Sequence, residues 1–306
     1  MSYIVSPSPH VRNNTNTSSI MGDVLLALFP ALAAAVILWG IRALLVVVVT
    51  TAASVMAEYL YQKLCGQPVT VRDLSSAVTG VLLAYNLPVS IPLWQAALGG
   101  ILAIVVVKQL FGGLGRNFAN PAITARIILF LSFSNTMTAW TTPDGISTAT
   151  PLAIMRAGEF YKLTKLDLFL GNTGGCLGEV SALALLIGFA YLLIRRVITW
   201  HTPVIFVFTV FLGSFAISGS MSYALCQILS GGLLLGAIFM ATDYVTTPST
   251  TSGRVIFGVG CGLLTLLIRQ WGSYVEGVSF AILFMNILTP YISRWTRTKP
   301  FGGVRQ

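Results

Sequence analysis

The chain has 306 residues, 55% of them hydrophobic and 9% charged, with a mean hydropathy of +0.83 and a formal net charge of +9. So apolar a composition excludes a soluble globular domain and indicates an all-α polytopic membrane protein. The positive charge does not point to nucleic acid, because the Lys and Arg residues are scattered between apolar stretches, where they act as topology signals.

A spanning helix needs about 20 mostly apolar residues. Ten such stretches are expected, in chain order at 21–39, 41–61, 74–87, 93–111, 120–133, 178–194, 203–217, 223–241, 255–271 and 277–292. Residues 1–20 are polar and lack an apolar run before a cleavage site, so no removable signal peptide is expected. The third and fifth stretches are short, as broken or re-entrant elements lining a cavity are. With a cytoplasmic N-terminus, the inner side receives twelve of the eighteen Lys and Arg, which places the C-terminal tail, 293–306, in the cytoplasm too. The connection 134–177 then faces outward. It is too long for a helix-helix turn, and connections of this size are usually functional or disordered.

Residues 21–133 and 178–292 repeat each other. MGDVLLALFPALAAAVIL from Met21 resembles LGEVSALALLIGFAYLLI from Leu177, each with one acid near its start, Asp23 and Glu179. VVKQLFGG from Val106 recurs as LIRQWGS from Leu267, which aligns Lys108 with Arg269 and Gln109 with Gln270. Each unit holds five spans, an odd number, so the second enters the membrane from the opposite side. The expectation is two inverted five-helix repeats with a site near their pseudo-two-fold axis.

Ionisable residues inside spans are expensive and suggest function by default. Asp243 sits in MATDYVTTP, where Thr242, Thr246, Thr247 and nearby carbonyls offer the oxygen ligands a hard cation prefers. Asp73 and Glu276 are further ion-pathway candidates, although an acid at a helix start also answers the helix dipole. Arg126 lies within a span and needs a carboxylate or an anionic ligand to justify its burial. Asn86, Asn120 and Asn286 are polar groups that serve either helix packing or a ligand. Cys65, Cys176, Cys226 and Cys261 are well separated, with no CxxC pair, and indicate neither a disulfide framework nor a cluster. His10 and His201 are distant from each other, so no metal constellation is visible.

The 134–177 connection carries DGISTATP, a polar stretch of small residues ending in Thr150 and Pro151. Pro151 biases Thr150 toward extended backbone, and Gly145 and Ala149 leave the flanks uncrowded, so a modifying enzyme is expected to reach Oγ1. The stretch resembles the pattern that flavin transferases recognise, filled here by Asp144, Ser147, Ala149 and Thr150. Arg156, Lys162 and Lys165 follow, either holding an anionic phosphodiester or simply solvated.

Taken with SPHVRNNTNTSSIMGDVLLALFPA near the N-terminus, FANPA after the fourth stretch and MATD in the second half, the chain resembles a known family over nearly its whole length. These are the D subunits of Rnf ferredoxin:NAD+ oxidoreductases and the related B subunits of sodium-translocating NADH:quinone reductases. The resemblance implies a ten-helix, urea-transporter-like fold in a bacterial inner membrane. It also implies FMN esterified to Thr150 on the outer side, noncovalent riboflavin near mid-membrane, and flavin redox coupled to Na+ or H+ translocation. Arg126 and Asn120 are candidate flavin contacts. The implied partners are the A, B, C, E and G components of the Rnf complex, foremost the flavin-carrying RnfG, with a flavin transferase for maturation and membrane lipid around the spans. Tyr244 departs from the family, which commonly has Pro after the Asp of MATD. An inverted five-helix repeat suits permeation equally well, so a urea- or ammonium-type solute channel without flavin is the alternative.

Overall fold

The computed structural model describes residues 16–142, 148–179, 181–272, 274 and 276–297. Their architecture is helical throughout, with no strand among the described residues. Four helices are long and apolar enough to cross a membrane: α1 (Thr17–Trp39), α2 (Ile41–Leu64), α10 (His201–Ser218) and α13 (Thr251–Trp271). By length and composition, a bent pair, α11 (Met221–Leu229) and Leu233–Met240, which meet at 65°, makes a fifth among the described residues if it counts as one span. Sequence alone reads 223–241 as one span. Hydropathy does not register the Ser230-Gly231-Gly232 interruption, where Gly231 adopts φ +65°, a conformation open to glycine and strained for other residues.

Shorter apolar helices complete the bundle: α3 (Ser75–Tyr85), α4 (Leu93–Leu102), α5 (Pro121–Ser132) and α9 (Ala182–Ile194). α4 runs on as a π-helix, Ala103–Gln109, and the bent pair's second arm, opened by α12 (Leu233–Leu235), does the same over Gly236–Met240. π-helical turns are rare and gather at functional sites. α14 (Val278–Trp295) closes the chain. The expected start of the sixth stretch at 178 is four residues early, because the Ser181 hydroxyl caps α9 by accepting from Ala184 N (3.3 Å). Glu179 therefore lies in the entry turn and not in a helix's first turn.

α2 packs on α3 and α4 as α10 packs on α11 and α13, while α1 meets α9 and α5 meets α14. Apolar lipid gives helices no hydrophobic reason to associate, so close approach has to come from small residues. A Cβ at Gly100 would stand 2.7 Å from Thr50 O, and one at Gly188 would stand 2.3 Å from Ala27 O. The two halves are also joined by main chain: Leu177 N donates to Leu87 O (3.1 Å) and Gly178 N to Tyr85 O (2.9 Å).

The 134–177 connection is folded where it is described. It contains α6 (Ser134–Met137), α7 (Pro151–Arg156), a 3-10 turn at Phe160–Lys162 and α8 (Lys165–Leu170). Leu152, Met155 and Leu168 form a small buried cluster with Cys226.

Candidate functional site

The Thr150 segment roofs a cavity of about 360 Å³. Pro151 occupies the first turn of α7, where its missing N–H does no harm, and this sets Thr150 at the N-cap. Its Oγ1 accepts from Ala153 N at 3.2 Å. Thr150 is consequently 6% exposed, unlike its exposed neighbours Thr148 and Ala149. The open access to Oγ1 expected from the sequence is thus not found: the hydroxyl is engaged by its own helix. Asp144 and Ser147 lie outside the described residues.

The opposite wall is α5 and the start of α14. Phe130, Tyr274 and Phe280 form an aromatic group, with Phe130 edge-on to Tyr274 (centroids 5.1 Å apart) and Tyr274 stacked on Phe280 (5.7 Å). At the cavity's base Arg126, buried on α5, donates to Glu276 and to Ser279 Oγ. Glu179 Oε1 lies 3.6 Å from the same guanidinium, and Cys176 Sγ lies 3.6 Å from Nη2. The need for a partner inferred from sequence is met by two carboxylates. Cys176, Glu179 and Glu276 bring ligand atoms within 4.8 Å of one another, a grouping the sequence did not reveal because its members are up to 100 residues apart. The Arg126 cation sits among them, one positive charge facing two carboxylates.

Asn120 and Asp243 belong elsewhere. Both line a second cavity of about 110 Å³, with Asn117, Lys108 and Ser75. Asn120 is the N-cap of α5: its Oδ1 accepts from Ala122 N (3.0 Å) and its Nδ2 donates to Met240 O (3.4 Å). Asn120 therefore lines the second cavity and not the one beneath Thr150. Asn286, with its nitrogen toward Thr246 O (3.2 Å) and its oxygen toward Asn120 N (3.1 Å), ties α14 to this corner.

Around Asp243, Thr246 Oγ1 donates to Oδ2 at 3.0 Å, and Thr242 lines the same cavity. Thr242 and Thr247 turn to backbone, donating to Ile238 O (2.6 Å) and Ala241 O (3.0 Å). Tyr244, next to Asp243, uses its hydroxyl to donate to Val197 O. Asn117 Oδ1, on the cavity wall, is buried without a partner.

Lys108, 1% exposed, donates to Glu58 Oε1 (2.6 Å) and to Ser75 Oγ (2.6 Å), and Ser75 Oγ in turn donates to Asp73 Oδ1 (2.6 Å). A continuous hydrogen-bonded chain therefore joins Glu58 to Asp73 along the second cavity. Sequence placed Asp73 among the ion-pathway candidates and left out Glu58. The signal was available in a Glu and a Lys both inside apolar stretches, since such charges have to pair.

The NQR2, RnfD, RnfE family matches the chain over residues 4–302. The D subunit of the Na(+)-translocating ferredoxin:NAD(+) oxidoreductase complex of Acetobacterium woodii is 46% identical over 99% of this chain and 96% of its own length. Its counterpart in the proton-translocating ferredoxin:NAD(+) oxidoreductase complex of Clostridium ljungdahlii is 39% identical over 99% and 97%. The corresponding D subunit of the ion-translocating oxidoreductase complex of Escherichia coli K12 is 34% identical over 99% of each.

Proposed function

Because the chain belongs to the NQR2, RnfD, RnfE family, we propose that it is the membrane electron-transfer subunit of an ion-translocating ferredoxin:NAD+ oxidoreductase complex. It works beside the complex's other subunits in a bacterial inner membrane, with both termini cytoplasmic. The ten apolar stretches form two inverted five-helix repeats. Supporting this, each half sets its second helix, α2 or α10, against helices that follow it.

The observation that carries the redox reading is the cavity in which a threonine hydroxyl, an aromatic wall and a buried arginine converge. Thr150 is the hydroxyl that the motif's pattern assigns to the flavin ester, and α7's cap would survive there because an ester oxygen still accepts a hydrogen bond. Phe130, Tyr274 and Phe280 exclude water and offer flat faces to a ring. Arg126 supplies a cation for an anionic group. FMN held by Thr150 would provide the electron-carrying chemistry, the protein providing position and field.

The resemblance also implies noncovalent riboflavin near mid-membrane, and the buried, partnerless Asn117 Oδ1 on the wall of the second cavity is an acceptor that a ring N–H would meet. Asp243 and Asp73 stand on the ion path beside it, whereas Glu276 is committed to Arg126. The relatives' names specify sodium in one and protons in another, so uptake of both ions needs measuring.

The test is ultraviolet fluorescence of the denatured chain on a gel, after co-production with a flavin transferase. Wild type should fluoresce and Thr150→Ala should not. A dark wild-type band, or a fluorescent Thr150→Ala band, removes the reading. Asp243→Ala should lower ion uptake in vesicles that hold the whole complex, and unchanged uptake removes Asp243 from the path.

A further inference from the structure

α7 separates two cavities. Thr150 and Ala153 face the large one, and Leu152, Met155 and Arg156, on the other side of the helix, line a third cavity of about 150 Å³. Whatever is tethered to Thr150 leaves from the opposite face, so this third space has to be explained by itself. Its polar wall is Tyr223, Gln227, Arg269 and Gln270.

Arg269 is 4% exposed. Nη1 donates to Gln227 O (2.7 Å) and Nη2 to Ser230 O (3.0 Å), which leaves Nε buried without a partner. Glu179 and Glu276 act on it through the field. Both are held by Arg126, however, and no carboxylate among the described residues reaches Arg269 at ion-pair distance. Arg156 brings a second guanidinium, its Nη2 donating to Gly272 O (2.7 Å). Tyr223 OH accepts from Gln227 Nε2 (3.0 Å) and Gln270 Nε2 (3.1 Å), so the phenol's own hydrogen remains to donate.

Two guanidiniums, a free N–H and a free O–H around a small space with no acid in its wall match an oxoanion, since such groups accept several charge-assisted bonds at once. The setting names the source. Leu263, Leu267 and Trp271 are exposed at four-residue spacing along α13, a lipid-facing stripe whose terminal Trp marks the membrane interface next to Gln270. We propose that the cavity between α7, α11 and α13 binds the phosphate of a membrane phospholipid headgroup.

The experiment is native mass spectrometry of the complex purified from membranes, titrated with phosphatidylglycerol, with a parallel arm that measures heat protection by inorganic phosphate. Gln270→Glu puts an anion into the cavity without touching Arg269's hydrogen bonds to backbone, and Arg156→Gln removes the rim charge. Each should lower lipid adducts by about tenfold, the equivalent of one charge-assisted bond. Protection by phosphate without lipid retention, lost in the same variants, keeps the oxoanion site and changes its source to the free ion. Equal adducts in wild type and both variants, or neither ligand acting on wild type, overturns the proposal.

Discussion

Lys108 and Arg269 occupy the same place in the similar stretches VVKQ and LIRQ, both buried, and they solve the same problem in opposite ways. Lys108 meets a carboxylate, Glu58, and hands its remaining hydrogen bonding to Ser75. Arg269 meets no acid and spends its fork on the carbonyls of Gln227 and Ser230, at the point where the bent pair breaks. A compact ammonium is satisfied by one ionised partner, whereas a planar guanidinium can serve several fixed acceptors. The broken helix needs such a donor, because its end carbonyls lie where water is scarce. One half thus uses its cation to balance charge and the other uses it to finish a backbone.

The comparison predicts an order of effects on heat stability in detergent. Lys108→Met has the largest, on the order of 3–5 kcal/mol, because it leaves the buried Glu58 carboxylate without its cation. Adding Glu58→Gln should recover most of that loss, and a double variant as unstable as the single one would show that the pair does not act as a unit. Arg269→Met comes next, at about 2–3 kcal/mol, from two stranded carbonyls. Its signature should be faster hydrogen exchange confined to the break around 229–233, and exchange spread evenly over the bundle would contradict the capping role.

These two residues also show how far the amino-acid sequence is legible. Their alignment is visible, because VVKQ and LIRQ share a pattern. Their partners are not, since Glu58 lies 50 residues from Lys108 and Ser230 39 from Arg269, and no local periodicity encodes that meeting. α2 is legible nearly to its ends because an unbroken apolar run is an unambiguous signal. The broken 223–241 region reads as continuous because Gly and Ser are neutral to hydropathy while decisive for φ. At the candidate site, Thr150 and Arg126 stand out in the sequence, and they do share a cavity. Asn120 goes to the other cavity, because its side chain is absorbed by capping α5. Thr150's burial escapes a sequence reading for the same reason: a Thr-Pro step serves equally as an open turn or as a helix start.

Two smaller effects sharpen the contrast between buried and exposed charge. Thr150→Ala should lose about 1 kcal/mol with the cap of α7, and Thr150→Ser should stay within a few tenths of wild type. Urea denaturation of flavin-free protein separates this from any effect of a bound group. The pair Asp23–Arg195 (3.2 Å) has its Arg half exposed, so Arg195→Ala should shift stability by less than about 0.5 kcal/mol. A shift as large as that of Lys108→Met would mean that exposure does not set the worth of a charge in this bundle.

The main-chain hydrogen bonds joining residues 177 and 178 to the end of α3 constrain how the molecule can work. A Cβ at Gly178 would stand 2.3 Å from Tyr85 Cβ, so the Tyr85 side chain lies directly against the Gly178 backbone, with no room for a side chain at 178. Side-chain contacts can slide and re-form, but two main-chain amides seated on fixed carbonyls have a single registration, and shearing them would strand both in a medium without water. The seam is therefore a weld between the halves. Motion of one stretch against the other would have to break both of these bonds at once.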